Sequence, residues 1–424
     1  MILRLIILHI LLALLIRYNP VFSTIHAYLV LLFGLHLIFR DSNANRIIIL
    51  LGYVIGSELL WRGFATNVFW EYGKIITLFY LIMIFYRIGL NRNNKKIGII
   101  YVLLLLPSLF AIESFNRTDV SHALLGPILM GISLTVFTNI RINKLLLIKI
   151  LTFSLMPIVS LLVISLISTL IEGNYDYVSA YLHRIETGGI GPNQASNILG
   201  LGALFAFLIA QLSQQKERNI FQFLGIILII QTVLTHSRGG FWNIILSIFV
   251  FYFFQITTTK KKFRLIVGTL PIILSFYYLI FPFLDNISRG SIISRFSDAD
   301  LSSREEILTT ELDAFRKNPY FGIGPGQSRK YRLDNYRNYK HSHTEYTRLL
   351  AEHGFFGVAA LLIMLSLIIG IVINKKGFDR SFSLTILSWS LLFMIHSATR
   401  LAAPCMLFGF AFSRFNFSRV GELK

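Results

Sequence analysis

The chain has 424 residues, of which 54% are hydrophobic and only 14% charged, and its formal net charge is +19. So apolar a chain cannot cover itself with polar surface, which excludes a water-soluble globular enzyme as its main architecture. The basic residues sit in the gaps between apolar runs, not on one helical face. That excludes a nucleic-acid-binding domain and leaves two sources for the charge, membrane anchoring and an acidic ligand.

In chain order, apolar runs predict spans at 3–17, 21–39, 47–61, 73–90, 97–112, 120–139, 145–171, 194–212, 219–236, 240–257, 264–283, 353–374, 381–397 and 400–414. A helix satisfies its backbone hydrogen bonds without water, so the expected fold is an all-α polytopic membrane protein with about 12–14 transmembrane helices. The run Leu5 to Ile16 follows Arg4 as in a signal peptide, but it lacks a small-x-small cleavage site and is read as a retained first span. No repeat or linker divides the chain. The expected organisation is an N-terminal transmembrane bundle, 1–171, and a second region, 172–424, carrying an inserted loop at 284–352. The single cysteine, Cys405, rules out a disulfide within the chain.

Alternate gaps hold Arg40/Arg46, Arg92/Lys95/Lys96, Arg141/Lys144, Lys216/Arg218, Lys260/Lys261/Lys262/Arg264 and Lys375/Lys376/Arg380, whereas the gaps between them hold only isolated basic residues such as Arg17, Arg62 and Arg117. This bias predicts cytoplasmic termini and places 172–193, 236–240, 284–352 and 396–400 outside the bilayer. Only 284–352 is long enough to form a structure of its own, an extracytoplasmic loop containing short helices. It is rich in Arg from Arg289 through Arg348, and an anionic ligand supplies a reason for that.

Within the loop, Ser303-Arg304-Glu305-Glu306 has the form of a capping box, and Leu308, Leu312 and Phe315 follow at helical spacing up to Lys317-Asn318-Pro319. A second box, Ser342-His343-Thr344-Glu345, opens a helix through Leu349 and Leu350 towards the next span. Arg304 and His343 both fall in first turns. Helix N-termini favour phosphate and disfavour imidazolium, leaving a neutral His able to accept a proton. Ordinary surface caps explain both strings as well, because S-x-x-E is common. Between the boxes, Gly322, Gly324 and Gly326 suit a turn or a close backbone approach to a ligand, and no βαβ context supports a dinucleotide fold. His236-Ser237-Arg238-Gly239-Gly240 ends one span on the exterior side, where Arg either snorkels to lipid or binds an anion. Arg184 and Gly188 to Asn193 offer a similar site. Glu352 and His353 are expected at the membrane interface. Asp298-Ala-Asp300 matches the DxD of metal-dependent glycosyltransferases on the wrong side for a nucleotide sugar.

Ser237-Arg238-Gly239, the string from Pro319 to Gly326, and His343-Thr-Glu-Tyr followed by Leu349 to Gly357 occur in that order. Together, over roughly residues 180–370, they resemble the O-antigen ligase and O-antigen polymerase family of bacterial envelope glycan assembly. The resemblance implies a metal-independent, inverting glycosyltransferase of the bacterial inner membrane, working without a cofactor at its extracytoplasmic face. Its partners would be a polyprenyl-diphosphate-linked glycan donor, a glycan or lipid A-core acceptor, and membrane lipids. By position in the motifs, Arg238 and Arg304 would engage the diphosphate and His343 would activate the acceptor hydroxyl. Arg184, Gly322, Gly324, Gly326, His341 and Glu345 are the expected substrate-binding residues around them. The chain departs from the usual ligase in its span count and in reading His-Thr-Glu where His-Asn is frequent.

The chemistry is consistent with that implication. Fixed guanidinium groups neutralise a departing diphosphate bidentately, and a neutral imidazole takes a hydroxyl proton near pH 7. A lipid-linked oligosaccharide flippase is the rival expectation, but its spans should carry cavity-lining charges, and here Glu58 is an exception among nearly uncharged spans. A scaffolding protein explains the spans without the ordered motifs.

Overall fold

The computed structural model describes residues 2–40, 43–64, 67–88, 96–168, 192–235, 237–275, 278, 282–283, 286, 301–336, 342 and 344–416, the side chains of 192, 272–273, 301–304 and 416 excepted. The apolar runs become helices: α1 (Ile2–Tyr18), α2 (Val21–Arg40), α3 (Ala44–Phe64), α4 (Tyr72–Ile88), α5 (Ile97–Leu105) with a 3₁₀ turn (Leu106–Ala111), α6 (Arg117–Phe137), α7 (Lys144–Leu166), α8 (Pro192–Leu212), α9 (Gln215–Leu234), α10 (Arg238–Gln255) and α11 (Thr259–Ser275). Three shorter or more polar helices follow, α12 (Leu301–Lys317), α13 (Ser328–Tyr336) and α14 (Glu345–His353). The chain then returns to apolar helices α15 (Phe355–Asn374), α16 (Gly377–Ser397) and α17 (Ala402–Phe410). Among the described residues, eight helices are long and apolar enough to cross a membrane. The remaining predicted spans form shorter or more polar helices, α1, α4 and α11 being 17 residues each. The protein is an all-α polytopic membrane protein.

The outer faces of α1, α2 and α15 are apolar and exposed, with Leu8, Leu32 and Leu362 each more than half accessible, as hydrocarbon-facing helices require. Inside, polar side chains join helices that have no water to drive them together. The Tyr53 hydroxyl of α3 meets His9 of α1 (3.1 Å) and His26 of α2 (2.8 Å), and the Trp61 indole N–H donates to His26 Nδ1 (3.0 Å). The two halves of the chain are interleaved, since α7 packs on α8 and α17 packs on α6. The anticipated boundary at 171/172 lies outside the described residues.

The helices alternate in direction, so their ends collect at two poles. At one pole β1 (Arg141–Asn143) pairs in parallel with β2 (Arg414–Asn416), Arg141 opposite Arg414. There Lys375 Nζ reaches Asp379 (2.9 Å), the Ser413 carbonyl (2.6 Å) and the Phe415 ring (4.9 Å). The other pole gathers the end of α3, the starts of α4, α6, α8 and α10, the turn between α16 and α17, and the loop helices α12 to α14. These are the gaps that the charge bias assigns to one side.

Local signals in the loop are corrected in three places. Helix α12 begins at Leu301, so Ser303 lies inside its first turn and does not cap it; the predicted stop at Lys317 stands. Its buried face is Ile307, Thr310, Glu311 and Ala314, while Leu308 is 40% exposed. The face is chosen by a buried ion pair at Glu311, which apolar spacing alone cannot reveal. Helix α14 is capped by Thr344, whose hydroxyl accepts from the Tyr346 N–H, so Ser342 lies outside the helix and Glu345 is its first residue. That helix stops at His353, where Gly354 takes φ 58° and turns the chain into α15.

Candidate functional site

At the loop-bearing pole a cavity of about 130 Å³ is lined by Arg62, Lys74, Arg329, Arg332, Arg348 and Arg400 against the carboxylates Glu71, Asp119 and Glu352, with Trp70, His122, Gln194, Gly326, Ser342 and Thr399 among the rest. The basic groups arrive from separate elements: Arg62 from α3, Lys74 from α4, Arg329 and Arg332 from α13, Arg348 from α14 and Arg400 from the turn before α17. Arg62 stands one turn after Glu58 at the end of α3; its NH2 lies 2.9 Å from Glu58 and 3.3 Å from Glu71, and its guanidinium stacks 4.8 Å over Trp70. Lys74 in the first turn of α4 binds the same Glu71 oxygen at 2.9 Å. Burial works to raise the Glu71 carboxyl, but the Lys74 and Arg62 charges outweigh it and hold the group below the usual carboxylate range.

The loop supplies the opposite wall. Arg332 of α13, 1% exposed, donates to Glu311 of α12 at 2.9 Å and to the Ser342 hydroxyl at 3.2 Å. Arg400, in the turn before α17, donates to the Ser342 carbonyl at 2.8 Å. Ser342 is therefore fastened at both its side chain and its backbone. Arg348 donates to both Glu345 oxygens at 2.7 Å and to Thr399 at 3.1 Å. Burial, then the Arg348, Arg62 and Arg332 charges, push the Arg400 guanidinium down to about 10, still fully charged near neutral pH. Burial raises the Glu352 carboxyl, with Arg348 opposing. Arg400 thus stands among like charges with no carboxylate beside it among the described residues, the mark of a position short of negative charge.

The glycine string forms the hinge of this wall. Gly322, Gly324 and Gly326 have φ of 71°, 89° and 79°, in the left-handed region that L side chains avoid. All three positions are also filled from outside: a Cβ on Gly322 would lie 2.4 Å from the Glu352 carbonyl carbon, one on Gly324 2.9 Å from Ile112 Cγ1, and one on Gly326 2.6 Å from the Asp119 carbonyl carbon. The Ile323 and Gly324 N–H groups donate to the Ala351 and Glu352 carbonyls at 2.9 and 3.1 Å, and Gln327 bridges to Ser114. The string is thus a turn that docks α13 and α14 against the start of α6, and only Gly326 reaches the cavity.

The predicted site residues fall as follows. Arg238 opens α10, half-buried; its neighbour Ser237 donates to Asn193 at 2.7 Å, one residue from the cavity-lining Gln194. Arg238 is at the right pole but does not line the cavity. Arg304 is in the first turn of α12, seven residues before Glu311, and its side chain is outside the described residues. Arg184, His341 and His343 are also outside them, although Ser342 between the two histidines is on the cavity wall. Glu345 is fully buried and committed to Arg348 and to the Thr399 N–H and hydroxyl, both at 3.1 Å. Glu352 and His353, expected at the membrane interface, are enclosed at 3% and 1% exposure. His353 accordingly titrates low, at about 3, through burial and then Arg348, and its Nδ1 meets Ser108 at 2.6 Å.

Arg62, Glu71, Lys74, Gln194, Arg332, Arg348 and Arg400 were not singled out by sequence. The available signal was Glu58 and Arg62 four residues apart in an apolar run, with Glu71 and Lys74 opening the next, because ionisable residues in spanning helices mark functional sites.

Residues 223–362 match the family model described as O-Antigen ligase, a stretch that runs from within α9 to within α15. The match supports the O-antigen ligase family, and with it glycan assembly of ligase or polymerase type in a membrane. No curated protein matches the chain.

Proposed function

We propose that the protein moves an oligosaccharide or polysaccharide from a polyprenyl-diphosphate carrier to an acceptor hydroxyl at the extracytoplasmic face of the bacterial inner membrane. The observation that carries this reading is the cavity itself. Six basic side chains face three carboxylates at the pole where the family-matching loop docks. Polyprenol stays in the bilayer, so its headgroup has to be met at the end of a helical bundle, and a site there must be cationic to hold a diphosphate.

In this reading the acceptor oxygen attacks the anomeric carbon while the bond from that carbon to the phosphate oxygen breaks, and the configuration inverts. His343 takes the hydroxyl proton as general base. Arg238 and Arg304 meet the departing diphosphate, whose growing charge fixed guanidinium groups stabilise without reorganisation. Arg332 and Arg400 act through Ser342 as positioning residues for the adjacent histidines. Gly322, Gly324 and Gly326 shape the wall, Glu345 orients Arg348, and Arg184 and His341 take the role of further substrate-binding residues. The cytoplasmic termini and exterior loop follow the Lys and Arg bias; the collection of the alternate gaps at two poles supports their division into two sides, and the bias assigns the cytoplasmic one. A polymerase differs only in its acceptor, a second repeat unit in place of lipid A-core.

The test is complementation of a deletion strain with Arg238→Ala, Arg304→Ala and His343→Ala. Each is expected to lose polymer on the core while polyprenol-linked polymer accumulates. Normal surface glycan from all three would remove the catalytic assignment, and a core capped with one repeat in the deletion strain would identify the polymerase.

A further inference from the structure

The wall of the cavity formed by α3 and the turn before α17 lies outside residues 223–362 and carries donors with nothing to bind. Arg62 is 5% exposed and lines the cavity, yet only its NH2 is engaged; Nε and NH1 are buried and have no partner. A guanidinium that served only to neutralise Glu58 and Glu71 would have turned its remaining N–H groups to carbonyls, because leaving them buried and unpaired is costly. Arg400 faces the same space. It donates one N–H to the Ser342 carbonyl, and no carboxylate lies within ion-pair distance of it among the described residues. Glu58 ties the two together, since one of its oxygens holds Arg62 and the other accepts the Ala402 N–H at 2.7 Å, two residues past Arg400.

We propose that Arg62 and Arg400 form an oxyanion seat for a phosphoryl group, built from helix ends outside the family-matching stretch. Two guanidinium groups give a planar, permanently charged set of N–H donors that suits phosphate oxygens, and burial strengthens each bond by excluding water. Lys74 is not free for this role, because Glu71 holds it. The seat rests on the diphosphate-donor reading only for its natural ligand, either the carrier's headgroup or a free phosphate.

The test is calorimetric titration of the purified full chain in detergent with two probes, inorganic pyrophosphate and farnesyl diphosphate. Arg400→Gln is the main variant, since among the described residues Arg400 holds no ion pair whose loss would unsettle the fold. Glu58→Gln/Arg62→Gln removes the second guanidinium without stranding Glu58, and Lys260→Gln at the far end of α10 makes the same charge change elsewhere. Both seat variants are expected to weaken binding about tenfold or more, with Lys260→Gln near wild type. Weakening of both probes, with farnesyl diphosphate the tighter ligand of the wild type, identifies a lipid headgroup, and weakening of both with equal wild-type affinities identifies a free phosphate. Arg400→Gln binding both probes as wild type does would overturn the seat, whether or not the double variant folds. Wild type that binds pyrophosphate but gains nothing from the prenyl chain would leave the seat standing and count against the lipid-linked donor.

Discussion

Replacing Arg332 by Met should loosen the loop more than any other single change in it. Arg332 and Glu311 are both 1% exposed and 2.9 Å apart. At an effective dielectric of about 20 their attraction is about 6 kcal/mol, much of which offsets the cost of desolvating both charges. Cutting one partner does not recover that cost. It leaves Glu311 buried with only the Thr347 hydroxyl as donor, for which the expected loss is about 3–5 kcal/mol. Glu311→Leu/Arg332→Met removes both charges and should return to within about 1 kcal/mol of wild type, a recovery of about 2–4 kcal/mol over the single variant. Hydrogen exchange across α12 and α13, with a denaturant melt in detergent, reads both numbers. The double variant still lacks the donor to Ser342, so transfer activity should stay low although the loop is restored. A single variant that exchanges like wild type would refute the reasoning, because the pair would then hold nothing together.

Three further outcomes follow from the same geometry. Gly326→Ala combines φ 79° with a Cβ 2.6 Å from the Asp119 backbone; it should cost roughly 2–4 kcal/mol, read as a lower melting temperature, and wild-type stability would contradict the docked turn. Asp313 accepts from Lys317, Tyr331 and Tyr336, which lower it from 3.8 to about 2. A depressed carboxyl stabilises fully above its unfolded value and loses that contribution as pH falls, so exchange in α13 should rise between about pH 4 and pH 2, and Asp313→Asn should abolish the step. Cys405 is fully buried, so a cysteine at exposed Arg329 should take an impermeant maleimide on intact spheroplasts, and one at Lys260 only after lysis. The reverse pattern would invert the topology.

The helices were legible because a hydrocarbon solvent demands long apolar runs, and the end of α12 because Asn318-Pro319 cannot continue it. The Gly322 to Gly326 turn was legible for the same local reason. The cavity was not. Arg62 and Arg400 stand 338 positions apart in chain number, and no periodicity joins the end of α3 to the turn before α17. Arg332 gave no sign of burial, since its partner Glu311 sits where helical spacing alone favours the Leu308, Leu312 and Phe315 face. The cap of α14 misled because Ser is by type the stronger capping residue, yet Thr344 caps the helix and Ser342 is held instead by Arg332 and Arg400.

The most direct measurement is reconstitution of the purified protein in liposomes with a polyprenyl-diphosphate-linked glycan and a core acceptor. Glycan should appear on the acceptor with polyprenyl diphosphate released in equal amount, and His343→Ala should stop both. Movement of intact donor between leaflets, with no diphosphate released and no glycan transferred, would contradict the account and identify a flippase.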